Sequence, residues 1–126
     1  MGDSAPGRSF GPLTRTDFVR YAGASGDFNP IHHDEGFATS AGFPTVFSIG
    51  MLQAGFLATF ATDWLGAEAI RRFRVRFLEQ VWPGDVLECS GTVASVEGDT
   101  VEVELRCVRQ TGGLAISGTA SFDLSR

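Results

Sequence analysis

The chain has 126 residues, 43% hydrophobic and 20% charged, which fits one globular domain and excludes a disordered tail, a collagen-like chain or a disulfide-stapled miniature. Ten basic residues face fifteen acidic ones, for a net charge of -5, and all ten are arginine. No basic tract tracks a phosphate backbone, so no nucleic-acid partner is expected.

Residues 1–7, Met-Gly-Asp-Ser-Ala-Pro-Gly, read as a flexible lead before a single domain over 8–126. Met1 to Phe10 contains no apolar core of a leader peptide. The longest apolar stretch, Ile49 to Ala61, is interrupted by Gln53 and two glycines and is too short to span a bilayer. A cytoplasmic location with no membrane partner is expected. Thr14-Arg15-Thr16-Asp17 has the form of a capping box, and Phe18, Tyr21 and Ala22 follow at helical spacing. This helix is expected to stop between Gly23 and Gly26. Gly26-Asp27-Phe28-Asn29-Pro30 is a turn by composition, and Asp34 is placed to cap a short helical turn running through Ala41.

Ser48 to about Leu65 is the longest helix expected, with Met51, Leu52, Gly55, Phe56, Thr59 and Phe60 recurring at helical spacing. A helix apolar nearly all round is expected to be buried. Ser48 is its expected N-cap; its hydroxyl facing a substrate is the alternative. After Gly66 the period changes to two. Strands are expected over Phe73–Val81, Val86–Val96, Val101–Arg109 and Leu114–Leu124, with a turn at Trp82-Pro83-Gly84-Asp85. Short connections imply antiparallel pairing, so the fold class is α+β, a sheet wrapped on one buried helix. A two-residue turn at Gly98-Asp99 would set Cys89 opposite Val108; a three-residue loop would set it opposite Cys107 and match Val93 with Val103. Hydrophobic matching favours the second register. The two cysteines make neither a metal site nor a disulfide framework and are expected to be reduced core residues. Arg72, Arg74 and Arg76 alternate with Phe73, Val75 and Phe77, which reads either as a solvated strand face or as an attraction for the phosphates of a carrier such as coenzyme A.

The chemistry is concentrated in Tyr21-Ala22-Gly23-Ala24-Ser25-Gly26-Asp27-Phe28-Asn29-Pro30-Ile31-His32-His33-Asp34. Asp27 and His32 lie five residues apart across a proline-containing bend, which can aim both side chains at one point. A carboxyl and an imidazole can share one water and move its protons, and Asn29 can orient the water or the ring. That set suits adding water to, or removing it from, a carbon–carbon double bond. No metal and no cofactor is called for.

This string resembles the signature of the MaoC-like hydratases and dehydratases, which include the R-specific enoyl-CoA hydratases. The matching positions are Tyr21, Ser25, Gly26, Asp27, Asn29, Pro30, Ile31, His32, Asp34 and Ala38. The resemblance continues in Gly50-Met51-Leu52, Arg74-Val75-Arg76-Phe77 and Val81-Trp82-Pro83-Gly84-Asp85, and so covers roughly residues 11–124. It implies a hot-dog fold, a long helix wrapped by an antiparallel sheet, paired as a homodimer or a hot-dog heterodimer. It implies interconversion of (3R)-hydroxyacyl and trans-2-enoyl thioesters of coenzyme A or acyl carrier protein, as in fatty acid metabolism, with Asp27 and His32 catalytic. Asp27 is the expected base and His32 the acid, a choice the sequence leaves open. Gly50, at a helix N-terminus, is expected to offer its backbone N–H to the developing oxyanion. Where the family usually has a histidine before this glycine, the chain has Ile49. Phe28, Phe43, Phe47, Phe56 and Phe60, with Ala54, Gly55 and Ala58, are expected to line an acyl channel or fill the core. A hot-dog thioesterase, or a subunit of a heteromeric dehydratase, is the alternative.

Overall fold

The computed structural model describes residues 2–125. Its elements are β1 (Arg8–Phe10), α1 (Arg15–Ser25), a 3-10 turn (Pro30–His32), α2 (Glu35–Ser40), α3 (Gly50–Leu65), β2 (Ile70–Phe77), β3 (Leu87–Glu97), β4 (Thr100–Arg109) and β5 (Leu114–Asp123). All strand pairs are antiparallel, in the order β1-β3-β4-β5-β2. The helix α3 lies across one face of this sheet, the expected hot-dog arrangement.

Local signals place the first elements. The Thr14 hydroxyl accepts from the Asp17 N–H at 3.1 Å, and the Asp17 carboxylate accepts from the Thr14 N–H at 2.8 Å. This reciprocal pair starts α1. Gly26 ends it in the left-handed region, φ 78°, where its N–H returns to the Ala22 carbonyl. Asp34 caps α2 through the Phe37 N–H.

The strands lie close to their expected spans, with three differences. β2 is shifted: it runs Ile70–Phe77 rather than Phe73–Val81. The paired residues end at Phe77, the Leu78 and Glu79 N–H groups still reach the Ala115 carbonyl, and the Val81 carbonyl then receives the Ser48 N–H. β1, three residues and too short to show a period, pairs with β3. Ahead of it, the segment read as a flexible lead runs along the same edge: the Gly2 and Ala5 N–H groups donate to Val93 and Gly91 carbonyls, and the Asp3 carbonyl accepts from Val93. The β3–β4 hairpin keeps the two-residue turn, with Glu97 opposite Thr100, yet sets Cys89 opposite Cys107 and Val93 opposite Val103. A bulge at Ala94 reconciles the two, because one extra residue shifts the register beyond it.

The buried face of α3 is Gln53, Ala54, Leu57, Phe60 and Ala61; of the residues that spacing selected, Phe60 is buried and Leu52 and Phe56 pack partly against the core. Met51, Gly55 and Thr59 form an exposed stripe. A helix apolar nearly all round carries too little contrast to orient itself. The sheet decides the matter through small residues. A Cβ on Gly118 would stand 3.4 Å from Leu57, and one on Gly91 would stand 2.8 Å from Trp64 and 3.2 Å from Phe60. Gly91 lets the helix settle close to the strands, whereas Gly118 chiefly clears the Arg74 backbone carbonyl, 2.8 Å from where its Cβ would stand. Leu57, Leu105, Ile116, Val103, Phe122, Cys89 and Cys107 form the centre of the core. No helix among the described residues is long and apolar enough to cross a membrane.

Candidate active site

The bend between α1 and α2 is fixed by successive side-chain caps. The Asp27 carboxylate accepts from the Asn29 N–H at 3.3 Å, and the Asn29 carbonyl oxygen accepts from the Ile31 N–H at 3.1 Å. Asn29 therefore uses one lone pair of its oxygen to start the 3-10 turn that carries His32, which leaves its amide N–H groups and one lone pair for a water. His32 is 9% exposed. Its Nδ1 lies 2.8 Å from the Phe47 carbonyl, which can only accept, so Nδ1 carries the proton and Nε2 is the nitrogen left for chemistry. The Phe47 ring meets the imidazole edge to face, with centroids 5.3 Å apart.

Phe47 is held by a strut that the sequence reading missed. Glu35, at the start of α2, accepts from the Val46 N–H, the Thr45 hydroxyl and Arg15 of α1. The Thr45 hydroxyl and Arg15 hold the Glu35 carboxyl below the usual carboxylate range. One carboxylate thus ties α1, α2 and the segment leading into α3 together beside His32.

His32, Phe47, Ser48, Gly50 and Gln53 share a cavity of about 240 Å³ with the Phe77–Gln80 segment. Gly50 opens α3, so its N–H precedes the helical ladder. A Cβ there would meet the Phe77 ring at 3.0 Å, so glycine keeps this wall open. The expected Ser48 cap is absent: Ile49 occupies the N-cap position without a side-chain bond. Ser48 is anchored by its N–H to Val81, which turns its hydroxyl to Gln53 Oε1 at 2.6 Å. Neither Asp27 nor Asn29 lines this cavity; both are exposed on the bend before it. The bend's own caps hold them there.

The phenylalanines divide. Phe47 lines the His32 cavity and stacks tilted on Phe43, at 4.8 Å between centroids. Phe56 stacks on Phe10 and lines a separate cavity of about 550 Å³ with Tyr21 and Leu52. Phe60 is core, and Phe28 is 65% exposed. Arg72, Arg74 and Arg76 are exposed on the outer face of the sheet. Arg74 and Arg76 border a trough of about 610 Å³ with Arg106, and this trough shares no residue with the His32 cavity. Below the site, buried Asp85 accepts from Arg109 Nε at 2.8 Å and from the Trp82 N–H, and Arg109 reaches on to Glu79 at the cavity wall. Among the described residues no three of His, Cys, Asp or Glu gather as a metal site.

The model of the MaoC like domain matches residues 4–120. The chain belongs to the MaoC-like domain family. It is 31% identical over 112 residues to the (R)-specific enoyl-CoA hydratase of Rhodospirillum rubrum, covering 86% of this chain and 78% of that protein. It is 34% identical over 96 residues to the peroxisomal multifunctional enzyme type 2 of Mus musculus, covering 74% of this chain but only 12% of that longer protein. Among solved structures, the (R)-hydratase from A. caviae involved in PHA biosynthesis superposes with a TM-score of 0.88 at 26% identity, covering 98% of this chain and 96% of that one. That structure shares the hot-dog architecture seen here. Within the family frame, the position before Gly50 is Ile49, which is 4% exposed and stands outside the cavity lining. Gln53 is the polar side chain that α3 turns inward instead. Its signal in the sequence was a lone amide inside an otherwise apolar helix.

Proposed function

We propose that this MaoC-like chain catalyses the reversible (R)-specific hydration of trans-2-enoyl thioesters, and the dehydration of (3R)-hydroxyacyl thioesters, through Asp27, His32 and one water. The observation that carries the reading is His32: its Nδ1 is fixed on the Phe47 carbonyl, and its ring borders a cavity that also meets the first residue of α3. A histidine held through one nitrogen moves protons only at the other.

In the hydration direction, the water oxygen bonds to the β-carbon while Asp27, which lies outside the His32 cavity on the exposed bend, takes one of its protons from that side. Protonated His32 gives its Nε2 proton to the α-carbon. The electron pair of the double bond passes through an enolate whose charge rests on the thioester oxygen, beside the Gly50 N–H. Transfer of the proton from Asp27 to His32 then resets both groups. Donors fixed in advance suit this step, because they need no reorganisation as the charge appears. The carrier is coenzyme A or acyl carrier protein.

A second hot-dog chain, identical or related, is the proposed partner. β2 ends the sheet, so one of its edges has no neighbour among the described strands. Phe77 and Leu78 follow that edge and are about half exposed, as is Met51 at the start of α3. Covering apolar side chains and an open strand edge together favours pairing.

Hydration of enoyl-CoA substrates of graded chain length, with the product resolved for stereochemistry, tests the reading. The (3R)-hydroxyacyl product is expected, and Asp27→Asn and His32→Ala are each expected to fold and lose activity. Full activity in either variant would remove that residue from the mechanism. Release of free thiol without hydration would instead identify a thioesterase.

A further inference from the structure

Gln53 is a polar residue on the inward face of α3 and 3% exposed. Its Oε1 is occupied by the Ser48 hydroxyl at 2.6 Å. Its Nε2 has no hydrogen-bond acceptor among the described residues. Yet no sealed side-chain nitrogen or oxygen lacks a partner among them. The amide nitrogen therefore reaches open space, and the open space that Gln53 borders is the His32 cavity. A buried amide donor without an acceptor is unfavourable in a protein serving only as core, where an apolar side chain fills the same volume.

Its position in the helix specifies what it meets. Gln53 lies three residues after Gly50, on the same side of α3, and helical side chains lean toward the N-terminus. Gln53 and Gly50, one helical turn apart, thus line one cavity. Two donors on that wall favour an oxygen that gains negative charge. Ser48, anchored to Val81 by its own N–H, holds the amide at 2.6 Å, and with its hydroxyl donating to Oε1 the amide nitrogen is the end left for the cavity.

We propose that the Gln53 side-chain amide is a second hydrogen-bond donor to the substrate's thioester carbonyl oxygen, acting beside the Gly50 N–H, and that Ser48 is the residue that positions it. This assignment rests on the hydro-lyase reading above and adds to it a residue of the oxyanion site.

The test compares wild type with Gln53→Met, Gln53→Glu and Ser48→Ala in two assays. One is enoyl-CoA hydration. The other is binding of a saturated acyl-CoA thioester against its thioether, in which a methylene replaces the carbonyl. In Gln53→Met, kcat is expected to fall about 100-fold with KM within about threefold, the pattern of a contact made in the transition state. The preference of wild type for thioester over thioether is expected to shrink in this variant, whereas a packing defect would weaken both ligands equally. Ser48→Ala is expected to lose about tenfold in kcat, and carries the test if Gln53→Met does not fold. Gln53→Glu is expected to be poorest at high pH and to recover relative to wild type as the acid protonates and regains a donor. A Gln53→Met enzyme within twofold of wild type, an unchanged thioester preference, or a fully active Gln53→Glu at neutral pH would overturn the assignment. If wild type hydrates no enoyl thioester, the parent reading fails while the binding comparison still decides the role of Gln53.

Discussion

His32 Nδ1 lies 2.8 Å from the backbone carbonyl of Phe47, a residue fifteen positions further along the chain. A carbonyl accepts and never donates, so the contact sets the tautomer of the ring. In nitrogen-15 spectra, the His32 ring is expected to carry a proton on Nδ1, and its neutral form to be the Nδ1–H tautomer. Finding the Nε2–H form would contradict the bond to Phe47 and the proton path drawn from it.

Glu35 controls that carbonyl from a distance. Glu35→Ala removes the acceptor for Val46, Thr45 and Arg15 at once and frees the segment that carries Phe47. Activity is expected to fall about tenfold or more, since small misplacements of a catalytic group are costly in rate. Glu35→Gln, which keeps the oxygen for Val46, is expected to recover part of the loss. Equal activity in all three proteins would show that the strut does not position His32.

Asp85 ties the chain below the site to β4. Burial pushes its carboxyl up, but bonds from Arg109, the Trp82 N–H and Gln110 outweigh this and leave it below its ordinary value of 3.8. A depressed carboxyl stabilises the fold above that ordinary value, and the contribution is lost as pH falls through the lower folded value. Asp85→Asn removes the charge of one of Arg109's two carboxylate partners while Glu79 remains, and is expected to destabilise the protein by about 1–3 kcal/mol at neutral pH. Its denaturant midpoint should vary less with pH than that of wild type in the acid range.

The close seat of α3 predicts a stability pair. Leu57→Ala should cost about 2–5 kcal/mol through the cavity it leaves. Gly91→Ala drives a methyl against Trp64 and should cost about 1–3 kcal/mol. Adding Trp64→Leu to Gly91→Ala should restore part of this; additive losses in urea melts would show that the two residues do not compete for the same space.

Cys89 and Cys107 face each other in the core, both buried and unlinked. The contact with Cys107 and burial push the Cys89 thiol up, away from the reactive thiolate form. Alkylation by iodoacetamide is expected to be negligible in the folded protein and complete on both residues in denaturant. Fast labelling of the native state would mean that the core opens there.

The sequence by itself determined what depends on near neighbours. Thr14 and Asp17, Asp34 and Phe37, and Asp27, Asn29 and Ile31 bond within three residues of one another, so their residue types alone specify the geometry. Strand alternation after Gly66 repeats one local period and was legible for the same reason. The family signature around Asp27 and His32 was legible because the bend carrying it is built from those local bonds. Only the tertiary structure decided the rest. The buried face of α3 was seated against Gly91 on a distant strand, and the register of β3 on β4 was set by a bulge that satisfied both turn and core. Ser48 turned to Gln53 rather than to the helix end because Val81 holds its backbone. Such choices lie between arrangements of similar local energy, and contacts across the core tip the balance.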